Sequence, residues 1–258
     1  FFSDIFILKL DQNGNFDFVK TFPSPNYAYS YDIDVDVDGN MIIKASTLTE
    51  INLDPATNNF NFSSDEIIEL IVKLDSETNI LWANQTNFAS NFGNGLVDDF
   101  GDYYYHDFFT ESSGASNFTD IPILNVDSYD YTEQNQSVSQ FYKLDLAGNY
   151  IWASLVDGRV NDYCFDENFD LFIISELNNE AIVTHLSSSG HLISKTNFNA
   201  SDSIKIEASQ LIYASNSVYA SGSVYRDIVN GNNQFLGASL DFDLSLDTFN
   251  IYFDSRAA

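Results

Sequence analysis

Asp34, Asp36 and Asp38 stand at alternate positions before Gly39 in the stretch "YDIDVDVDGNMII", Tyr31 to Ile43. Carboxylate oxygens at that spacing ahead of a glycine are how many calcium loops begin. A calcium loop of the helical kind also needs a bidentate Glu at its twelfth position, which counted from Asp34 is Ala45. The alternation with Ile33, Val35 and Val37 instead predicts a strand with one apolar and one acidic face. Asp38-Gly39 suits a tight hairpin turn, because Gly takes positive φ without steric cost. Asp34, Asp36 and Asp38 are therefore the candidate ion ligands on what is first a hairpin, and no resident metal or other cofactor is expected.

Few other residues offer chemistry. The histidines are His106, His185 and His191, and the last two lie on opposite arms of one hairpin around "LSSSG", where they could face each other. A transition-metal site needs a third ligand, so the pair reads as polar residues beside a turn. The single cysteine, Cys164, excludes an internal disulfide framework and suits a small half-buried strand position. Among 38 acidic residues, carboxylate pairs at hydrolytic separations arise by chance. No GxSxG, HExxH or phosphate-binding glycine loop is present. These residues predict a protein that is not an enzyme, with no catalytic residues.

The elements that must carry these side chains come from a repeat. "KLDQNGNFDFVKTF" from Lys9, "KLDSETNILWANQT" from Lys73 and "KLDLAGNYIWASLV" from Lys143 each read as strand, short turn and strand. "HLSSSGHLISKTNF" from His185 and "DFDLSLDTFNIYFD" from Asp241 keep the apolar second position and the polar turn. Between consecutive copies lies a second hairpin, starting near Asp32, Leu96, Asn161 and Ile212. We refer to the two kinds as KLD-type and DGN-type. Trp82 and Trp152 share one offset in successive KLD-type copies, which predicts equivalent places in successive repeats. No segment carries a sustained helical period with caps.

Four antiparallel strands per repeat describe a β-propeller blade. The expected fold is all-β, a β-propeller of four-stranded antiparallel blades with about four and a half blades visible, either five-bladed or an excerpt of a larger ring. The blade repeats are placed near 4–46, 66–110, 138–175, 181–222 and 235–254 of a single domain, 1–258. One hairpin is left without a partner, Asp4–Phe22 or Leu236–Asp254 according to where blades begin.

The pattern "KLD..GN..WA" followed by "D.DGN...KAS" resembles the bacterial SBBP-type β-propeller repeat of Bacteroidetes secreted and surface proteins, over nearly the whole chain. "KLDSETNILWA" also resembles the repeat of quinoprotein-like propellers, a family that repeats its tryptophan around the ring, whereas this chain has only Trp82 and Trp152. The first resemblance implies a secreted or cell-surface protein, extracellular or associated with the outer membrane.

Composition narrows the partners. The chain has 258 residues, 44% of them hydrophobic, with 23 Phe and 15 Tyr, enough for a large core. Its net charge of -28 repels phosphate backbones and anionic lipid heads, so no nucleic acid is expected. No apolar run is long enough to span a bilayer, so no membrane insertion is expected. The start "FFSDIFILKL" reads as a processed or excerpted piece of a larger chain or complex. The variable stretches 23–30, 48–65, 87–95, 111–137 and 223–234 are expected on one face. There Phe60, Phe62, Phe118, Tyr129 and Tyr131 are the candidates for an interaction surface that stacks on sugars or peptides. The function expected is a non-enzymatic interaction or structural module of a larger bacterial surface protein, with other protein chains or surface glycans as partners. A glycan-binding or glycan-cleaving propeller and a periplasmic assembly scaffold are the alternatives.

Overall fold

The computed structural model describes residues 3–86, 94–109, 137–178, 180–198, 204–226, 234–243 and 248–253. Every regular element among them is a β-strand. The local unit is a hairpin whose turn is written in the sequence. In Asp11–Asn15, Asp36–Asn40, Asp98–Asp102 and Asp145–Asn149 the backbone N–H of the first residue donates to the carbonyl of the fifth, and its carbonyl accepts the N–H of the fourth. The fourth residue must then take the left-handed conformation, and Gly14, Gly39, Gly101 and Gly148 do so at φ 81. Thr78 (φ 71) and Phe169 (φ 61) hold the same place in two sister turns.

β1 (Ile5–Leu10) and β2 (Phe16–Phe22) form a two-stranded sheet. β3 (Ala28–Val35), β4 (Met41–Asn52), β5 (Asn61–Leu74) and β6 (Ile80–Thr86) form a four-stranded sheet in chain order. So do β7 (Leu96–Val97), β8 (Tyr103–Phe109), β9 (Val138–Leu144) and β10 (Tyr150–Asp157). β11 (Arg159–Phe165), β12 (Leu171–Leu177), β13 (Glu180–Leu186) and β14 (Leu192–Phe198) make the next. β15 (Ile204–Ala214), β16 (Ser217–Arg226), β17 (Gln234–Asp243) and β18 (Thr248–Phe253) make the last. The fold is a β-propeller of four-stranded antiparallel blades.

Each four-stranded blade is a DGN-type hairpin followed by the next KLD-type hairpin. This differs from the segmentation near 4–46, 66–110, 138–175, 181–222 and 235–254, which starts each repeat on the KLD-type hairpin. Alternation along the chain is compatible with both phases. The long pairing of β4 with β5, from Met41↔Leu74 to Asn52↔Asn61, decides between them. The hairpin left over is the one within Asp4–Phe22.

The chain divides into two compact units, Phe1–Asp107 with Lys143–Ile151 and Phe108–Tyr142 with Trp152–Ala258. In the first, Ile5, Ile7 and Phe22 of β1–β2 pack with Met41, Ile43, Ala45, Leu70, Val72 and Leu74 of the following sheet. In the second, Phe172, Ile174, Ala181, Val183 and Phe198 pack with Ala208, Leu211, Val218 and Ala220. Each core fills the space between consecutive sheets, and each fully buried Val, Leu or Ile contributes about 1.5–3 kcal/mol.

Trp82 and Trp152 occupy equivalent places. Trp82 Nε1 donates to the Leu146 carbonyl at 2.8 Å and Asn84 Nδ2 to that of Gly148 at 2.6 Å. One repeat on, Trp152 Nε1 donates to Ser188 at 3.1 Å and Ser154 Oγ to Gly190 at 2.5 Å. Each indole thus lies on the turn of the next KLD-type hairpin. A Cβ on Gly148 or Gly190 would come within 2.7 Å of the indole, so glycine is required there twice over, by space and by φ.

Candidate functional site

The carboxylates of Asp34, Asp36 and Asp38 do not converge. Asp36 builds its own turn, with Oδ1 accepting the N–H groups of Asp38 at 3.1 Å and Asn40 at 2.8 Å. Asp34 Oδ2 accepts the N–H of Val97 at 2.8 Å, and Asp32 accepts that of Gly95. The acidic face of β3 therefore clasps the chain entering and forming the first strand of the next sheet, as Asp162 does with Leu211 at 2.6 Å in the second unit. Asp38 stands exposed at the turn tip.

The remaining oxygen of the turn carboxylate holds a cation. Asp36 Oδ2 lies 3.1 Å from Lys73 Nζ, with both side chains 1% exposed, and Lys73 also donates to the Gly101 carbonyl at 3.2 Å. Burial alone would raise the Asp36 pKa, but bonds from Asn40 and Lys73 outweigh it and hold the group below the usual carboxylate range. In the next blade, Lys143 Nζ lies 3.5 Å from Asp98 and 3.0 Å from Asp102. In the blade after that the position is His185, whose Nε2 is 3.8 Å from Asp170 and whose ring stacks on Phe172. At Lys73, Lys143 and His185 the first residue of the KLD-type hairpin is thus a basic side chain set against the DGN-type turn of its own blade.

Asp166, Asp170 and His185 are the grouping among the described residues that could hold a metal ion. They are the same clamp with histidine in place of lysine. Burial lowers the His185 pKa against the opposing pull of Asp170 and Asp166. His185 lies opposite Ser194, so His191 does not face it as the hairpin reading allowed.

A second buried polar group lies within the first unit. Lys44 Nζ is 3.4 Å from Asp107 Oδ1, donates to the His106 carbonyl at 3.4 Å, and sits over the Tyr105 ring. Burial pushes the Glu69 carboxyl up to about 7, opposed by Lys44 and aided by Asp107. Glu69 Oε2 and Asp107 Oδ2 have no hydrogen-bond partner. A carboxyl that titrates near neutrality can move protons. Lys44, Glu69 and Asp107 are nevertheless closed off from solvent, so they form a structural polar core in this state. The signal in the sequence for Lys44 and Glu69 is a charged residue inside an apolar run, in "MIIKAS" and "IIELIV".

The incomplete blade is where these rules are broken. Phe6, Leu8 and Leu10 are the counterparts of Leu70, Val72 and Leu74, counted from Lys9 and Lys73. The latter three are 0%, 3% and 0% exposed, whereas Phe6, Leu8 and Leu10 are 63%, 50% and 49% exposed. Val19 and Phe16, opposite Leu8 and Leu10, extend the same exposed apolar face. Lys9, the counterpart of Lys73, pairs with Asp17 of its own hairpin at 3.3 Å, with both side chains about half exposed, and lies over the Phe18 ring. Among the described residues, no strand lies beside the outer edge of β1.

Of the aromatic candidates, Phe60 and Phe62 are half-buried and pack against the first unit's core. Phe118, Tyr129 and Tyr131 lie outside the described residues. Cys164 is half-buried, and burial pushes its thiol up to about 12, away from reactivity.

No protein-family model matches the chain, and no curated protein matches it in sequence. Among solved structures, two variants of a Synechocystis apocarotenoid oxygenase superpose on 96% of this chain and 54% of their own, with a TM-score of 0.50 and 11% identity. The chain spans about half the length of these oxygenases. Virginiamycin B lyase from Staphylococcus aureus overlaps 86% of this chain and 94% of its own, at 10% identity and a TM-score of 0.29, too loosely to carry an argument. The likeness to the oxygenase concerns the fold alone. It corrects the expectation that the chain is not an enzyme, because a propeller sharing this fold is an oxygenase. A lack of short sequence motifs was the wrong ground, since active sites are made by residues brought together from distant strands.

Proposed function

We propose that this β-propeller serves as an interaction and structural module of a larger bacterial surface protein or complex, with other polypeptide as its partner. The observation that carries the reading is the open half-blade, where Phe6, Leu8 and Leu10 are exposed while their counterparts in the next blade are buried. A strand with a free edge and an apolar face is a template for added polypeptide, by main-chain hydrogen bonds along the edge and burial on the face. The surface location rests on the resemblance of the "KLD..GN..WA" and "D.DGN...KAS" patterns to SBBP-type repeats.

Hydrogen exchange and binding of a hydrophobic dye to the dilute chain test this reading. The outward amides of β1 should exchange faster than those of β5, and the dye should bind wild type and be lost in the Phe6→Ser, Leu8→Ser double variant. Slow exchange along β1 together with no dye binding overturns it, because the surface would already be covered.

A further inference from the structure

We infer that the outer edge of β1 is the seat of a β-hairpin of the DGN type, whose turn carboxylate takes Lys9. This rests on the reading of β1–β2 as an interaction surface and names the partner that fits it.

The repeat supplies the missing geometry. In the first complete blade the strand beside the KLD-type arm is the second arm of a DGN-type hairpin, with β4 against β5 in the register Met41↔Leu74, Ile42↔Lys73, Ile43↔Val72 and Lys44↔Ile71. The blade of β11 to β14 repeats the register with Leu171↔Leu186, Phe172↔His185 and Ile173↔Thr184. Transposed to β1, the incoming strand sets apolar residues opposite Leu10, Lys9 and Leu8. Its turn then lies beside Lys9, where Asp36 lies beside Lys73 and Asp98 and Asp102 lie beside Lys143. The occupant is thus defined by chemistry: an Asp-x-x-Gly-Asn or Asp-x-x-Gly-Asp turn followed by a strand of β-branched or aromatic residues.

Charge makes the seat selective. The chain carries 38 acidic and 10 basic residues, so an exposed lysine at a free edge is a local exception to the field of the molecule. Its present partner Asp17 is half exposed, and such a pair is worth little. An acidic turn would give Lys9 the partner that its counterparts have. The chain's own described DGN-type hairpins are each committed to a blade, so none of them is the occupant, and the hairpin assigned here is a further segment of polypeptide with the same turn chemistry. A second copy pairing β1 to β1 would bring Lys9 no turn carboxylate.

The probe is a synthetic peptide of residues 31–47, the chain's own first DGN-type hairpin, titrated into the intact chain by fluorescence anisotropy. Saturable binding at one peptide per chain is expected, weakened at least about tenfold by Asp36→Asn in the peptide and to a similar degree by Lys9→Gln in the chain, with no further loss when both are changed. Because a short peptide holds its shape poorly, the same segment joined to the N-terminus through a flexible linker provides a second measurement. It should raise the melting temperature, and Asp36→Asn in the added copy should remove the gain. Binding that ignores both substitutions, no gain from the joined segment, or self-association of the chain lost in Phe6→Ser each overturns the assignment of an acidic-turn hairpin. Those failures with β1 still fast-exchanging and dye-binding would leave the interaction surface standing with another occupant, whereas protection of β1 in the isolated chain would remove both.

Discussion

Glu69 shows how far a single residue can depart from its exposed behaviour in this fold. Its carboxyl, ordinarily near 4.5, is raised to about 7 because burial opposes its charge more than Lys44 supports it. A raised acid makes the folded state hold its proton where the unfolded chain has released it. Stability from this group is therefore undiminished below about 4.5 and falls as pH rises toward about 7, by up to about 3 kcal/mol once both pKa values are passed. Glu69→Gln should match wild type near pH 4.5 and exceed it at pH 8 in urea unfolding. A variant less stable than wild type at pH 8 would mean that Glu69 is ionised and paired with Lys44. In the sequence "IIELIVKL" marks Glu69 only as a charge inside an apolar run, and neither its raised pKa nor its neighbours Lys44 and Asp107 can be read there, because a charged residue in a strand reads as facing water until the neighbouring sheet is placed over it. The turn residues were legible, since Asp-x-x-Gly-Asn specifies its own backbone bonds within five positions.

At the scale of the hairpin, the same lysine has two fates. Lys73 is buried against Asp36, and removing one partner of a buried pair leaves the other charge without compensation, at about 3–5 kcal/mol. Lys9 is exposed, where such pairs contribute about 0–1 kcal/mol. Lys73→Met should therefore lower the unfolding midpoint strongly and Lys9→Met hardly at all, measured on the chain alone. Equal losses would show that the first hairpin already has the partner its repeat implies. The hairpins, their turns and the equivalence of Trp82 with Trp152 could all be read from local pattern. The phase of the blades could not, because each hairpin is a neighbour of two others in sequence and only side-by-side pairing, such as Ile42↔Lys73, says which one it joins. The clamp stayed hidden for the same reason: Asp36 explained itself as a turn residue, and Lys73 as the start of a repeat.

Over the whole molecule, burial and charge pull in opposite directions. The described apolar cores lie between consecutive sheets, while 38 acidic residues against 10 basic ones leave a net charge of -28 to be carried mainly by the surface. Like charges spread over one surface repel at long range and strain the compact state. The favourable pairs are short and several are buried, as with Lys44 and Asp107 or Lys73 and Asp36, where salt penetrates little. Mobile ions should therefore screen the repulsion more than the attraction, since the Debye length falls from about 30 Å at 0.01 M to about 3 Å at 1 M. The melting temperature should rise between 0.02 M and 0.5 M sodium chloride, by about 2–4 °C for each kcal/mol of repulsion removed. A fall over that range would show that exposed ion pairs, such as Lys9 with Asp17, outweigh the general field, and that the acidic surface costs the fold nothing.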